Sequence, residues 1–427
     1  MTQLERDLDL LDAHIGVFDR HNLRRVDWAL LGLTLILAGL GLLNLYSASH
    51  GASAGTTSSV GSATWFGAIR DTFRGDFGKQ ALFLLPCLAI VALIVMMDYR
   101  SLVSLAPLLY VGNLVLLLLV LTVGEETRGA QRWLNLGFFR LQPSEFCKPV
   151  LVYALAWYCS RLGKRIRKLP YFILAFIITG VPCALVLIQP SLSSALALFP
   201  VLFVMLYAAG CRIWHLAAVV VLALIPVAMV AIEVRDYERL VREDEQLGPE
   251  TYEEMAYPWG LKLEEYQIVR ILTFLDPELD PQDEGYQTIQ CRITVGSGQL
   301  KGKGFCKGTQ THLSYLPEHH TDFVFALLAE EWGFIGAATV VLLFLAFVLR
   351  AFGLAGACTD PAGSLLAVGC TTILAFHAFT NIAITVGLLP VTGMALPFFS
   401  YGRSFYLTTM ICVGTLLSVH ARKRFFE

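Results

Sequence analysis

Residues 102–122 read LVSLAPLLYVGNLVLLLLVLT, 21 positions without one charged side chain. As a helix, such a run matches the hydrocarbon thickness of a bilayer, which takes about 20 residues to cross. The stretch is therefore read as a membrane span. Working outward, similar runs fall at 27–47, 80–98, 143–160, 170–188, 192–210, 213–233, 323–349, 364–388 and 402–420, making ten in all. The composition agrees: 56% of residues are hydrophobic and 15% are charged, where a soluble domain carries about a quarter charged. The expected fold is all-α: a polytopic membrane protein with about ten transmembrane helices. The first apolar run is too long for a cleaved signal peptide and is read as an uncleaved span.

Basic residues in the short connections set the orientation. With the N-terminus in the cytoplasm, the inner segments collect Arg161, Lys164, Arg165, Arg167 and Lys168, and also Arg422, Lys423 and Arg424. Ten spans then return the C-terminus to the same side. The expected organisation is a cytoplasmic segment 1–26, a membrane domain 27–420 and a cytoplasmic tail 421–427. A large extracytoplasmic loop, 234–321, joins spans seven and eight. It holds 16 acidic and nine basic residues. Its first part, 235–265, suits an amphipathic helix or a lid. Its second part is broken by prolines and glycines and is expected to form turns rather than regular helix. Loops this long usually carry function. The net charge of −2 gives no basic field and no case for nucleic-acid binding. Of ten cysteines none forms a CxxC pair; Cys291 and Cys306 lie in the long loop and can pair if it faces an oxidising compartment.

Three segments concentrate polar residues at the ends of spans. GAQRWLNLGFFRLQPSEFCKP (129–149) holds Arg132, Trp133, Glu145 and Lys148. Lys148 enters a span, where a charge needs a partner or a job. Glu145 and Lys148 share a helix face at i, i+3. This is either a structural ion pair or part of a cationic pocket suited to a phosphate group. YLPEHHTDFVFALLAEEWGF (315–334) places Asp322 where the loop becomes the eighth span. It is either a helix N-cap or a carboxylate poised for general-base chemistry. Glu330 and Glu331 lie deeper, so at least one should face the bundle interior. His312, His319 and His320 beside Asp322 match no named zinc spacing. GSGQLKGKG (296–304) lacks the phosphate-loop pattern. NIAITVGLLPVTGMALPFFSYGRSF (381–405) sets Asn381, Thr392, Ser400 and Arg403 among Pro390, Gly393 and Pro397. That argues for a broken segment lining a cavity, or for a simple outer turn.

Together with YQIVRILTFLDPELDPQDEGYQ (266–287), these segments resemble the SEDS family of shape, elongation, division and sporulation proteins. The phrases GTQ-x-x-L-x-x-LPE and GLLPVTG look most like its RodA branch. The resemblance runs from about residue 28 to 420. It implies a peptidoglycan glycosyltransferase that polymerises lipid II and releases undecaprenyl pyrophosphate, serving cell elongation and shape in the bacterial plasma membrane. A class B penicillin-binding protein would be the partner, and membrane lipid the surroundings. Asp322 takes the place of the family's essential acid. Arg132, Trp133, Glu145, Lys148, Glu318 and His320 are the substrate-binding candidates. A divalent cation, Mg or Mn, is the one cofactor to expect; its ligands are unknown. Two positions depart from the family pattern: Ser191 stands for an Asp after QP, and Arg403 for a Gly in SYGGS. A flippase for the lipid-linked precursor, or a non-catalytic scaffold, are the alternative readings.

Overall fold

A computed structural model describes residues 25–51, 75–127, 130–135, 137, 140–243, 272–274, 284–312 and 321–422. Its helices are α1 (Trp28–Gly51), α2 (Asp76–Met96), α3 (Tyr99–Val123), α4 (Pro143–Leu162), α5 (Leu169–Ile188), α6 (Leu192–Ala208) and α7 (Ile213–Glu243). Then come α8 (Glu284–Ser297), α9 (Val324–Gly356), α10 (Pro361–Thr385) and α11 (Arg403–Ala421). Each of the ten apolar runs coincides with one of these helices, and α8 is additional. Eight are long and apolar enough to cross a membrane. The other two are α4, which carries Glu145, Lys148 and Arg161, and α6, which has 17 residues. The protein is a polytopic helical membrane protein.

Burial explains why the least apolar helices are the inner ones. A helix facing lipid must be apolar there, whereas one facing other helices can hold polar groups that find partners. Helix α7 is almost wholly exposed along its apolar stretch, while α10 and α11 are about four-fifths buried. Helix α4 packs between α3, α10 and α11, with Leu151, Val152, Leu155 and Ala156 in the core.

The all-α expectation holds, with one expectation about the long loop corrected. Residues 125–141 form a small antiparallel sheet ordered β1 (Glu125–Thr127), β2 (Ala130–Asn135), β3 (Arg140–Leu141). After β2 the Gly137 N–H donates to Asn135 Oδ1 at 2.9 Å, a local bond of the kind Asn makes in turns. In the long loop, 284–297 is a regular helix rather than turns. Positions 286–295 contain neither Gly nor Pro, and Cys291 and Thr294 are buried against the bundle. Glycines resume at 296, and there the helix ends, as the composition implies. The charge-dense part of the loop continues α7 to Glu243; 244–271 lies outside the described residues. Cys291 and Cys306 are both free thiols.

Helix α9 breaks at Gly333, which has φ +65° and ψ −169°. A break inside a span exposes backbone groups that lipid cannot satisfy. Here the segment 299–304 satisfies them. Lys303 N donates to Glu330 O, Gly304 N to Glu331 O, Phe334 N to Gln299 O and Ile335 N to Leu300 O. A Cβ at Gly333 would lie 2.2 Å from Gly302 N, so only glycine admits this contact. Beside the break, the buried Glu330 Oε1 accepts from Lys303 Nζ at 2.7 Å, Thr309 N at 2.8 Å and Gln310 N at 2.9 Å. Glu331 accepts from Ser47 of α1. Both glutamates thus face protein.

Candidate active site

A cavity of about 470 Å³ opens where α4, α6, α10 and α11 meet the sheet and the start of α9. Its lining includes Arg132, Trp133, Glu145, Lys148 and Asp322, which come from two separate sequence segments, 129–149 and 315–334. Five of the seven expected site residues therefore meet in one place. Glu318 and His320 lie outside the described residues.

Lys148 sits in the second turn of α4, whose first turn begins at Pro143 with its fixed φ. Its side chain is fully buried yet forms part of the cavity wall. Nζ donates to Glu145 Oε2 at 2.9 Å and lies 2.9 Å from His377 Nε2 of α10. The Phe405 ring flanks it, with its centroid 5.2 Å away. The other oxygen of Glu145 accepts from Ser194 Oγ at 3.4 Å, and Ser194 accepts from Ser191 Oγ at 3.1 Å. Ser191, one of the two departures, is thus the outer end of a hydrogen-bonded chain that ends at Lys148. The Glu145–Lys148 contact is an ion pair, and it lies in the cavity, so the two readings of it coexist.

Arg132 projects from β2. Its Nε donates to Gln189 O at 3.0 Å and its Nη2 donates to Pro190 O. The guanidinium thereby fastens the α5–α6 turn to the sheet while lining the cavity. Burial draws its pKa below the ordinary arginine value, although a guanidinium stays charged in proteins. Trp133, the next residue, is half-buried in the same wall.

Asp322 precedes α9. The N-cap position of that helix is Phe323, so Asp322 is not the capping residue. Its carboxylate faces the turn at Gly393: a Cβ there would lie 3.5 Å from Oδ2. Gly393 has φ +68°, the left-handed region that favours glycine. The backbone on either side of the carboxylate is pinned. Asn381 Nδ2 donates to Asp322 O at 2.7 Å and to Met394 O at 2.6 Å. Ser400 Oγ donates to Thr321 O at 2.6 Å and accepts from Leu396 N at 2.8 Å. The broken segment between α10 and α11 therefore holds Asp322 in place. Arg403, the second departure, is the first residue of α11, next to the lining residues Gly402 and Ser404.

Sequence reasoning did not select His377, Gln142, Ser404 or Phe405. His377 carried a usable signal: it is a titratable residue inside a span, four positions before Asn381 and on the same helix face. The others are ordinary span-end residues whose role depends on partners distant in sequence. Among the described residues no group of three His, Cys, Asp or Glu side chains could hold a metal ion.

The family model described as cell cycle protein, FtsW/RodA/SpoVE, matches residues 28–425. The chain belongs to this family. It is 34% identical over 411 residues to a probable peptidoglycan glycosyltransferase FtsW of Geobacter sp. strain M18, covering 94% of this chain and 99% of that one. It is 29% identical over 440 residues to the peptidoglycan glycosyltransferase RodA of Treponema pallidum, covering 93% and 98%. Both named branches are thus represented at similar identity. Among solved structures, a chain from work on coordination of polymerization and crosslinking by a peptidoglycan synthase complex matches with TM-score 0.69 and 29% identity. That match covers 92% of this chain and 97% of the other.

Proposed function

We propose that this chain polymerises lipid II into glycan strands at the outer face of the bacterial plasma membrane, releasing undecaprenyl pyrophosphate. The chain is a peptidoglycan glycosyltransferase. What carries the mechanistic reading is one observation: the carboxylate Asp322 and the cation Lys148, from two distant segments, wall the same cavity. The acceptor sugar hydroxyl attacks C1 of the donor sugar, and Asp322 takes the hydroxyl proton. The bond from C1 to the pyrophosphate oxygen breaks, and its electron pair leaves with the pyrophosphate. Lys148 faces the negative charge that grows there, and Arg132 adds positive potential at the cavity wall. Glu145 holds the Lys148 ammonium in place through their 2.9 Å hydrogen bond. Trp133 offers a flat apolar surface for a sugar ring, and the lipid tails run in grooves between spans. Glu318 and His320 are assigned to the acceptor side through their closeness in sequence to Asp322. Alternatively, Asp322 would hold a Mg or Mn ion, which would activate or orient the acceptor hydroxyl.

The basic segments put both termini in the cytoplasm and the cavity on the opposite face. The phrases that resemble the RodA branch support a role in elongation. A class B penicillin-binding protein supplies crosslinking; the likeness to a chain from a synthase complex supports a partner of that kind. Purified chain with such a partner, given lipid II, should yield glycan polymer and free undecaprenyl pyrophosphate. Translocation of lipid II without glycan would contradict the reading. Depletion in cells should give rounding; filaments would move the enzyme to division.

A further inference from the structure

We infer that His377 is a positioning residue that fixes the Lys148 ammonium toward the cavity; its effect on turnover rests on the function proposed above. A lysine ammonium has three donors and no acceptor. A ring nitrogen 2.9 Å from Nζ must therefore present its lone pair, which makes His377 a neutral imidazole protonated on Nδ1. Glu145 takes a second ammonium proton at 2.9 Å. Two acceptors on different helices, Glu145 on α4 and His377 on α10, fix the orientation of a tetrahedral head group. The third N–H is then fixed as well, and Lys148 lines the cavity.

The competing account is a core histidine that only fills space. Its surroundings argue against that. His377 is 3% exposed and still lines the cavity, and its ring rests on Phe405 with centroids 4.8 Å apart. Phe405 also flanks Lys148. Ring, lysine and phenyl form one unit, in which the ring nitrogen meets Lys148 Nζ at 2.9 Å.

The test uses the full chain with its partner and two readouts. The first is carbamoylation of Lys148 by cyanate, followed by peptide mass spectrometry, which needs no catalytic activity. The second is the kcat and KM for lipid II polymerisation. His377→Leu removes the acceptor, so Lys148 should label at least about threefold faster and kcat should fall about tenfold with KM little changed. His377→Gln keeps an acceptor of similar reach and should stay within about twofold of wild type in both readouts. If His377→Leu does not fold, His377→Asn, whose shorter amide stops short of Lys148, carries the same expectation. Wild-type labelling and turnover in the acceptor-less variant would overturn the inference. So would a His377→Gln variant as damaged as His377→Leu. If wild-type protein makes no glycan, the functional reading fails, while the labelling arm still decides the role of His377.

Discussion

Among the described residues two lysine–glutamate pairs lie within the bundle, and they differ in what surrounds them. Glu330, at the break in α9, accepts from Lys303 and from two backbone amides, all supplied by one loop. Glu145 and Lys148 sit in a cavity wall, tied to Ser194 and His377 from two other helices. The first pair joins a loop to a helix break, where every donor answers an acceptor. The second keeps a charge buried beside open volume, which is costly unless a ligand completes it. A buried ion pair alone is weak evidence for function; the space next to it separates a clamp from a site.

The largest expected effect is on stability. Glu330→Leu leaves Lys303 and two amides without their acceptor and should lower stability by about 3–5 kcal/mol. Melting temperature in detergent checks this. Turnover per folded molecule should change far less, and a loss of activity without a loss of stability would break the contrast. Lys148→Met should do the reverse. Polymerisation should fall about 100-fold, or about 2.7 kcal/mol in the barrier, with the fold retained by size exclusion. Full activity in Lys148→Met would make that pair a clamp too. Gly333→Ala sharpens the structural side. It forces a side chain into the contact with Gly302 and should cost about 1–3 kcal/mol. Gly353→Ala, where nothing lies within 4 Å of the added carbon, should be neutral or stabilising. The smallest effect concerns the thiols. Burial pushes Cys291 up to about 12, and its Sγ lies 3.4 Å from Thr385 O. Iodoacetamide at neutral pH should modify the partly exposed Cys306 and spare Cys291 in the folded protein. Equal labelling would mean that α8 is not held against α10.

Much of this fold was legible because lipid imposes a coarse rule. A span is an apolar run of fixed length, and 102–122 obeys it without exception. The small sheet β1–β3 was not legible, since its strands are only three, six and two residues long, too short to show an alternating pattern. Helix α8 was hidden by the glycines and prolines on both sides of it. Within the site, Asp322, Lys148 and Arg132 stood out because a charge at a membrane boundary demands an explanation. Their partners did not. Asn381 was visible as a polar residue in an apolar stretch, but its job, holding the Asp322 carbonyl, depends on where α10 lies beside α9. The same holds for His377 and for Ser191, whose significance comes from contacts across helices.

The central claim is that Asp322 is the base of a glycan-polymerising site. Its most direct test is lipid II polymerisation by purified chain with its partner, comparing wild type with Asp322→Asn. The amide keeps size and hydrogen-bonding reach but cannot accept the acceptor's proton. The account predicts that glycan synthesis falls by about 100-fold or more with melting temperature unchanged. Polymer formation by Asp322→Asn at the wild-type rate would contradict it.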